Sequence, residues 1–502
     1  MDRQKLYKMG AQVVVLLAIA LGSLTPKQAV AAWTVDTPIV TYWYNSSVLT
    51  DTIAQQAVDG GYNTVWVAQY EGTQQPSLAS QLAIAKQHGL RTMVWSSLIT
   101  PATLNDSSKL AQLNKLIDEF KESSTAYSYY IVDDEPNTSL FSGLGQLVNY
   151  LRGRDPNRAT FISIPGASVN TSLYGASSYS RYISQYVSTV NPPLLASAYY
   201  GLMTTGDCSE YLHHMATVRK TAKKDGVPFL NSAQACAYDS FHVIPTANQL
   251  KFLVYSTLAY GAQGISYWNY WTSEPNTGGI GGWGSQNPVP DATSKAVYAA
   301  LTPLNHQFAA IAKQYQGLNW IDTYLKGYRS DQMPPGTTIL PGNASFDITS
   351  VANDMVYRGG EPLKGVLFGL FNKDGTTPDN ATFALVQNLD YSANKAYTVT
   401  GPGNLSVFNA TTGEWTAIGS NQVTLNLDPG SGALVGLTSL VPEPPTIGDA
   451  NYDGKVDEGD AAILAVNWLA GSANWGMGDF NNDGSQRRGR NADGPTSKDL
   501  ID

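Results

Sequence analysis

Eight short apolar runs, each followed by a stretch of helical character, recur across residues 33–316, and few folds can absorb such an alternation. The strand-like runs are 38–44, 64–69, 92–98, 129–133, 160–164, 194–199, 228–233 and 264–270, rich in β-branched and aromatic residues. Helix-like stretches at 52–60, 78–89, 108–121, 141–154, 179–190, 208–225 and 246–260 separate them, and another follows at 296–314. Three run into glycine, at His88-Gly89, Asp225-Gly226 and Tyr260-Gly261, as the left-handed end of a helix prefers. Eight β/α units predict an α/β fold, a (β/α)8 TIM barrel over 33–316. The rival is an open doubly wound sheet, which usually carries a glycine-rich phosphate loop after its first strand; this chain has none there.

Past the barrel the period shortens. Runs at 365–371, 383–388, 396–399, 405–409, 422–427 and 433–437, punctuated by Asp374-Gly375, Thr412-Gly413 and Pro429-Gly430, predict an antiparallel β-sandwich over 317–440. Support of the barrel is its expected role, with a carbohydrate-binding face as the alternative. Residues 441–447 form a proline-stiffened linker, and 448–502 form a last small module.

Charged residues make up only 14% of the chain, the formal net charge is -9, and no Lys/Arg-rich run is present, which argues against a polyanionic partner. The 29 Tyr and 11 Trp suit flat, hydroxylated ligands instead. At the N-terminus Arg3, Lys5 and Lys8 precede an apolar run over 11–24, then Ala29-Val30-Ala31, the pattern of a secretory signal peptide over 1–32. Export is therefore expected, with no membrane span in the mature chain. The two cysteines, Cys208 and Cys236, either pair in an oxidising compartment or remain buried thiols.

The chemistry concentrates in Tyr129-Tyr130-Ile131-Val132-Asp133-Asp134-Glu135-Pro136-Asn137, where a buried fourth strand ends in three acids. In a parallel barrel that is the end where chemistry is kept. Strict alternation puts Asp133 and Glu135 on one face and Asp134 on the other. Crowded like charges raise at least one carboxyl towards neutrality, which suits a general acid. A solvated loop or a helix cap is the plain alternative. The other strand ends are aromatic: Tyr42, Trp43 and Tyr44 on the first, Trp66 and Gln69 on the second, Trp95 on the third, Tyr199 and Tyr200 on the sixth, Trp268, Tyr270 and Trp271 on the eighth. Such rings offer stacking platforms for sugars, or else fill the barrel. Glu274 and Asp239 are read as a nucleophile or base at the mouth, or as solvated loop carboxylates. Gln69 and Asn269 either bind hydroxyls or satisfy backbone groups, and Glu71 is read as loop surface.

The last module opens with Asp449, Asn451, Asp453, Gly454, Lys455, Asp457 and Asp460. Side-chain oxygens at the first, third, fifth, ninth and twelfth loop positions, glycine at the sixth and a backbone carbonyl at Lys455 match an EF-hand calcium loop, with Asp as its last ligand. With the helix expected at 461–469, the module resembles a type I dockerin, which implies bound Ca2+ and a cohesin partner. The second repeat starts with Asp479, Asn481, Asp483 and Gly484 but places Arg487 and Arg490 at ligand positions, so one sound and one impaired calcium site are expected.

Taken together, the acid after strand four, the aromatic strand ends, the Gly264-Ile-Ser-Tyr-Trp-Asn-Tyr-Trp271 run, the β-sandwich and the dockerin-like module resemble a secreted bacterial glycoside hydrolase. That resemblance implies Glu135 as general acid/base, retention, and no catalytic cofactor. Asp134-Glu135-Pro136 is similar to the Asp-Glu-Pro of a β-N-acetylgalactosaminidase family, and Asp133-x-Glu135 to the Asp-x-Glu of chitinases. Both use the substrate's acetamide as nucleophile, oriented by the aspartate, which dispenses with a facing carboxylate. They imply Trp268 as aromatic floor and Tyr199 as the tyrosine near the sixth strand. The seventh strand carries Asn231 and Gln234 but no carboxylate, which keeps a non-catalytic carbohydrate-binding barrel of a surface assembly as the alternative.

Overall fold

A computed structural model of the chain describes residues 33–43, 48–69, 76–133, 137–167, 174–207, 210–284 and 288–441, together with Glu458 and Ala461. The eight expected strands form one parallel sheet: β1 (Ile39–Val40), β2 (Thr64–Gln69), β3 (Arg91–Ser96), β4 (Ala126–Asp133), β5 (Ala159–Ile164), β6 (Leu195–Ala198), β7 (Phe229–Gln234) and β8 (Gly264–Trp268). They pair in sequence order from β2 to β8, and β8 pairs with β1, so the sheet curls into a nearly closed barrel. At the remaining seam the Asn63 side chain does part of a ladder's work. Val40 N–H donates to Asn63 Oδ1 at 3.0 Å, Asn63 N–H to Val40 O at 3.1 Å, and Thr41 Oγ1 to Thr64 O at 2.9 Å. β1 is shorter than expected, although Thr41 and Trp43 still donate to Ile265 and Tyr267 of β8.

Helices α1 (Asp51–Asp59), α2 (Leu78–Gln87), α3 (Ser107–Lys121), α4 (Phe141–Arg154), α5 (Tyr179–Val190), α6 (Tyr211–Lys224), α7 (Ala247–Ala259) and α8 (Ala292–Gln314) surround the sheet. Their starts are set by side chains that accept orphan N–H groups: Thr50, Ser77, Asp106, Ser178, Thr246 and Asp291. The expected glycine ends hold, since Gly89, Gly226 and Gly261 all adopt positive φ directly after α2, α6 and α7.

The antiparallel part has two layers of unequal size. Six strands, β9 (Asn319–Lys326), β10 (Val366–Asn372), β11 (Phe383–Asn388), β13 (Leu405–Asn409), β14 (Glu414–Ala417) and β16 (Gly432–Leu437), form one sheet, and β12 (Lys395–Thr400) pairs with β15 (Gln422–Leu427) as a two-stranded layer. β9 and β14 were not among the expected strands. Strand alternation divides the large sheet between two cores. Leu367, Phe371, Phe383 and Leu385 join the barrel core, whereas Val366, Phe368, Leu370, Ala384 and Val386 join a second core with Tyr397 and Leu425.

α7 lies between barrel and sheet, which is why every residue from Phe252 to Ala259 is buried rather than one stripe alone. Gly369 sits where the two touch: a Cβ there would come within 2.1 Å of Ala259 O. Gln387 of β11 reaches across to Phe252 O and receives the Ser256 hydroxyl. Trp320 Nε1 donates to Ala259 O, and the Arg219 guanidinium covers the Trp320 ring at 4.8 Å. Cys236 is a buried free thiol, its pKa pushed up to about 12 by burial; Cys208 lies outside the described residues. So do residues 1–32, read above as a signal peptide, and all six expected calcium ligands, Asp449, Asn451, Asp453, Lys455, Asp457 and Asp460; of residues 448–502 only Glu458 and Ala461 are described, both helical and exposed. Among the described residues no helix is long and apolar enough to cross a membrane.

Candidate active site

Because all eight strands run the same way, the residues at their carboxyl ends gather at one mouth. The floor of that mouth is aromatic. Trp43 is the hub, with ring centroids 4.9 Å from Trp66, 5.0 Å from Tyr130, 6.3 Å from Phe161 and 5.6 Å from Trp268. Trp43 and Trp66 are buried, and Trp66 Nε1 donates to Tyr42 O. They plug the barrel. Of the strand-end tryptophans, Trp95, Trp268 and Trp271 are only partly covered.

β4 brings its acid to this floor through an irregularity. Tyr130 pairs with Phe161, but the next pairs are Val132 with Ile162 and Asp133 with Ser163, so Ile131 is an extra residue. In a regular strand Asp133, three residues after Tyr130, would point to the opposite face. The bulge restores it to the face shared by Tyr130, Phe161 and Ser163, which is the barrel interior. Asp133 is half-buried there. Asp134 and Glu135 lie outside the described residues, as do Tyr44 and Glu71.

Several expected contacts lie elsewhere. Tyr42 turns outward and packs on Tyr62 and Tyr270, at 5.2 and 4.7 Å. Tyr199 is buried with its ring stacked on His214 of α6 at 5.0 Å and near Tyr211. Its neighbour Tyr200 is the one beside Trp268, at 6.1 Å. Gln69, three residues beyond Trp66, falls on the outer face of β2, its Oε1 buried with no hydrogen-bond partner among the described residues. On β7, Gln234 clasps the backbone of Leu202 and Val243, and Asn231 donates to Thr257 of α7. Glu274 is exposed; its carbonyl receives the hydroxyls of Thr272 and Thr277. That loop is tied down by Asp291, which accepts from Asn276 N–H and caps α8. Burial works to raise the Asp291 carboxyl, but the hydrogen bonds from Ser294 and Asn276 prevail and hold it well below the usual carboxylate range.

On the strand-seven side Asp239 gathers two residues that sequence reasoning missed, His242 and Tyr238. Asp239 Oδ1 accepts from the N–H groups of Phe241 and His242 at 2.8 and 2.9 Å, and meets His242 Nδ1 at 2.7 Å. His242 Nε2 lies 2.9 Å from the Tyr238 hydroxyl. Burial acts to raise the Asp239 carboxyl, but the hydrogen bonds from His242 and Phe241 outweigh it and leave the group below its ordinary value. Tyr238 is 45% exposed and sets its ring edge to face with Trp268 at 6.4 Å and with Tyr200 at 5.5 Å. The sequence signal for the turn is Asp239 itself, since an aspartate readily accepts the backbone N–H two residues on, here that of Phe241. At the end of β8, Trp268 Nε1 and Asn269 Oδ1 are buried with no hydrogen-bond partner among the described residues. Buried polar atoms without partners are rare and need a reason.

No protein-family model and no curated protein sequence matches this chain. Its structural neighbours are glycoside hydrolases of several kinds with barrel folds. A β-L-arabinopyranosidase of Geobacillus stearothermophilus, in complex with arabinose, is 10% identical over 82% of this chain and 98% of that one, with a TM-score of 0.42. A β-galactosidase of the psychrophilic Marinomonas ef1 is 10% identical over 56% of this chain and 60% of that one, at 0.41. An endo-α-mannosidase of Bacteroides thetaiotaomicron is 10% identical over 56% of this chain and 99% of that one, at 0.39.

Proposed function

We propose that this chain is an exported glycoside hydrolase that cleaves O-glycosidic bonds of an oligosaccharide or polysaccharide at the carboxyl end of its barrel. The observation that carries the reading is the Ile131 bulge, which turns Asp133 into the barrel interior beside the aromatic floor. A half-buried acid facing tryptophans is the pairing that sugar chemistry needs, a proton-handling group next to a stacking surface.

Glu135 is the proposed general acid and base. It protonates the leaving oxygen and then deprotonates water, with retention. Asp133, or Asp134, orients the group that attacks the anomeric carbon. In a substrate-assisted course that group is the substrate's own acetamide. The sequence of β7 supports this course, because Asn231 and Gln234 hydrogen-bond to Thr257 and to the Leu202 and Val243 backbone, and no carboxylate stands on the strand. Trp268 serves as floor and Tyr200 as its neighbouring ring. The test is Glu135→Gln in the full chain, assayed by release of reducing ends from a panel of oligosaccharides and aryl glycosides. Loss of most turnover is expected with the melting temperature unchanged; undiminished hydrolysis refutes the assignment.

The same missing strand-seven carboxylate favours a second reading, a barrel that binds carbohydrate without cleaving it. Binding with no release of reducing ends by the wild type selects that reading. For the terminal module we propose one calcium ion held by Asp449, Asn451, Asp453, Asp457, Asp460 and the Lys455 carbonyl, and attachment to a cohesin partner. The basic, apolar and small-residue sequence of 1–32 supports export.

A further inference from the structure

The Tyr238, His242 and Asp239 group has no part in the acid chemistry proposed for β4, yet it stands on the strand-seven side of the same mouth, against Trp268. Its hydrogen bonds have a direction. A carboxylate oxygen only accepts, so Asp239 Oδ1 draws an N–H of His242 onto Nδ1 and selects the tautomer with its lone pair on Nε2. That leaves Nε2 as a lone pair, and the Tyr238 hydroxyl donates to it. With its proton committed to Nε2, the phenol oxygen acts only as an acceptor towards other groups.

The turn that carries the group is held from two sides. Thr204 N–H donates to Phe241 O and Val243 N–H to Leu202 O, so the turn is stitched to the short ribbon formed by Leu202–Met203 and Gly206–Asp207. On the far side of that ribbon, the Tyr391 hydroxyl of the antiparallel part reaches both oxygens of Asp207, at 2.9 and 2.8 Å. The position of Tyr238 is thus tied through the ribbon to the second layer of the protein. A solvated loop needs no such anchoring.

We propose that Tyr238 is a specificity-determining residue whose phenol oxygen accepts a hydrogen bond from a hydroxyl of a sugar stacked against Trp268, and that His242 and Asp239 are positioning residues that keep that oxygen an acceptor. Trp268 Nε1, on the ring next to Tyr238, is a buried polar atom with no hydrogen-bond partner among the described residues. The ligand class is a pyranoside with a free hydroxyl on the ring edge that faces strand seven. This inference rests on the carbohydrate reading of the mouth.

The experiment uses the full chain and tryptophan fluorescence, with cello-, xylo-, manno-, galacto- and chito-oligosaccharides as probes. Tyr238→Phe keeps the ring contacts and removes the oxygen. It is expected to weaken the tightest-binding probe about 5- to 10-fold, the worth of one neutral hydrogen bond. His242→Phe keeps the stack on Tyr238 and frees its hydroxyl, with an expected loss of about 2- to 5-fold. The double variant is expected to be no worse than Tyr238→Phe alone, because both act through one oxygen. Among singly deoxygenated forms of the best probe, the one lacking the hydroxyl that meets Tyr238 should lose affinity for the wild type but not for Tyr238→Phe. Wild-type affinity in Tyr238→Phe, additive losses in the double variant, or no binding of any probe by the wild type each overturn the inference. If Tyr238→Phe weakens binding while Glu135→Gln still hydrolyses, the inference stands and the catalytic assignment falls; if only Glu135→Gln has an effect, the reverse holds.

Discussion

His214 sets how the protein should respond to acid. It lies fully buried on α6, its ring stacked between Tyr179 and Tyr199, with Nε2 3.3 Å from the Ser197 hydroxyl and no hydrogen-bond partner for Nδ1 among the described residues. Burial, with a smaller push from His213, lowers its pKa from 6.5 to about 3. The folded chain therefore keeps His214 neutral, while the unfolded chain protonates it below its ordinary value. Folding stability from this group is fully present above 6.5 and is lost as pH falls towards 3. At ~1.36 kcal/mol per unit the ceiling is roughly 5 kcal/mol, and about 3 kcal/mol should be gone by pH 4.5. His214→Phe keeps a flat ring between the tyrosines and removes the titration. Urea unfolding followed by tryptophan fluorescence at pH 7.5 and 4.5 should show a smaller acid loss in the variant by about 2 to 3 kcal/mol. Equal losses in both proteins would refute the buried, neutral histidine.

Other perturbations separate packing from chemistry. Gly369→Ala drives a methyl group into Ala259 O and should cost roughly 1–3 kcal/mol by forcing the sheet off α7, read as a lower melting temperature. Tyr391→Phe removes both hydrogen bonds to Asp207, whose pKa burial already raises; a loss of about 1 kcal/mol in stability and weaker sugar binding are expected, checked by melting and by the fluorescence titration. Tyr199→Phe should leave sugar binding unchanged, whereas Tyr200→Ala strips the ring beside Trp268 and should weaken it several-fold, about 1 kcal/mol of aromatic contact, in the same titration. Calorimetric titration of the full chain with Ca2+ should show one strong site that Asp453→Ala abolishes; two equal sites would contradict the damaged second repeat.

The barrel was legible because a parallel strand covered on both faces is a continuous apolar run, and because each helix announces its ends chemically, as Thr50, Ser77 and Gly89 do. What such runs do not encode is which face a given residue takes. Tyr199 and Tyr200 are adjacent and identical in chemistry, yet one packs on His214 and the other on Trp268; the choice is made by where β6 stops, at Ala198. Asp133 shows the same limit in sharper form. Tyr-Tyr-Ile-Val-Asp reads alike with or without a bulge, and only the pairing with β5 reveals that Ile131 is skipped. That skipped residue has a physical consequence for the site. Without it, Asp133 would face the helices while Tyr130 faced the floor, and the acid and the aromatic surface would be divided by the strand that carries them. Strand seven reaches its outcome differently: Gln234 is committed to holding Leu202 and Val243, so the polar group on that side must come from the turn those contacts anchor, and Tyr238 is what the turn presents.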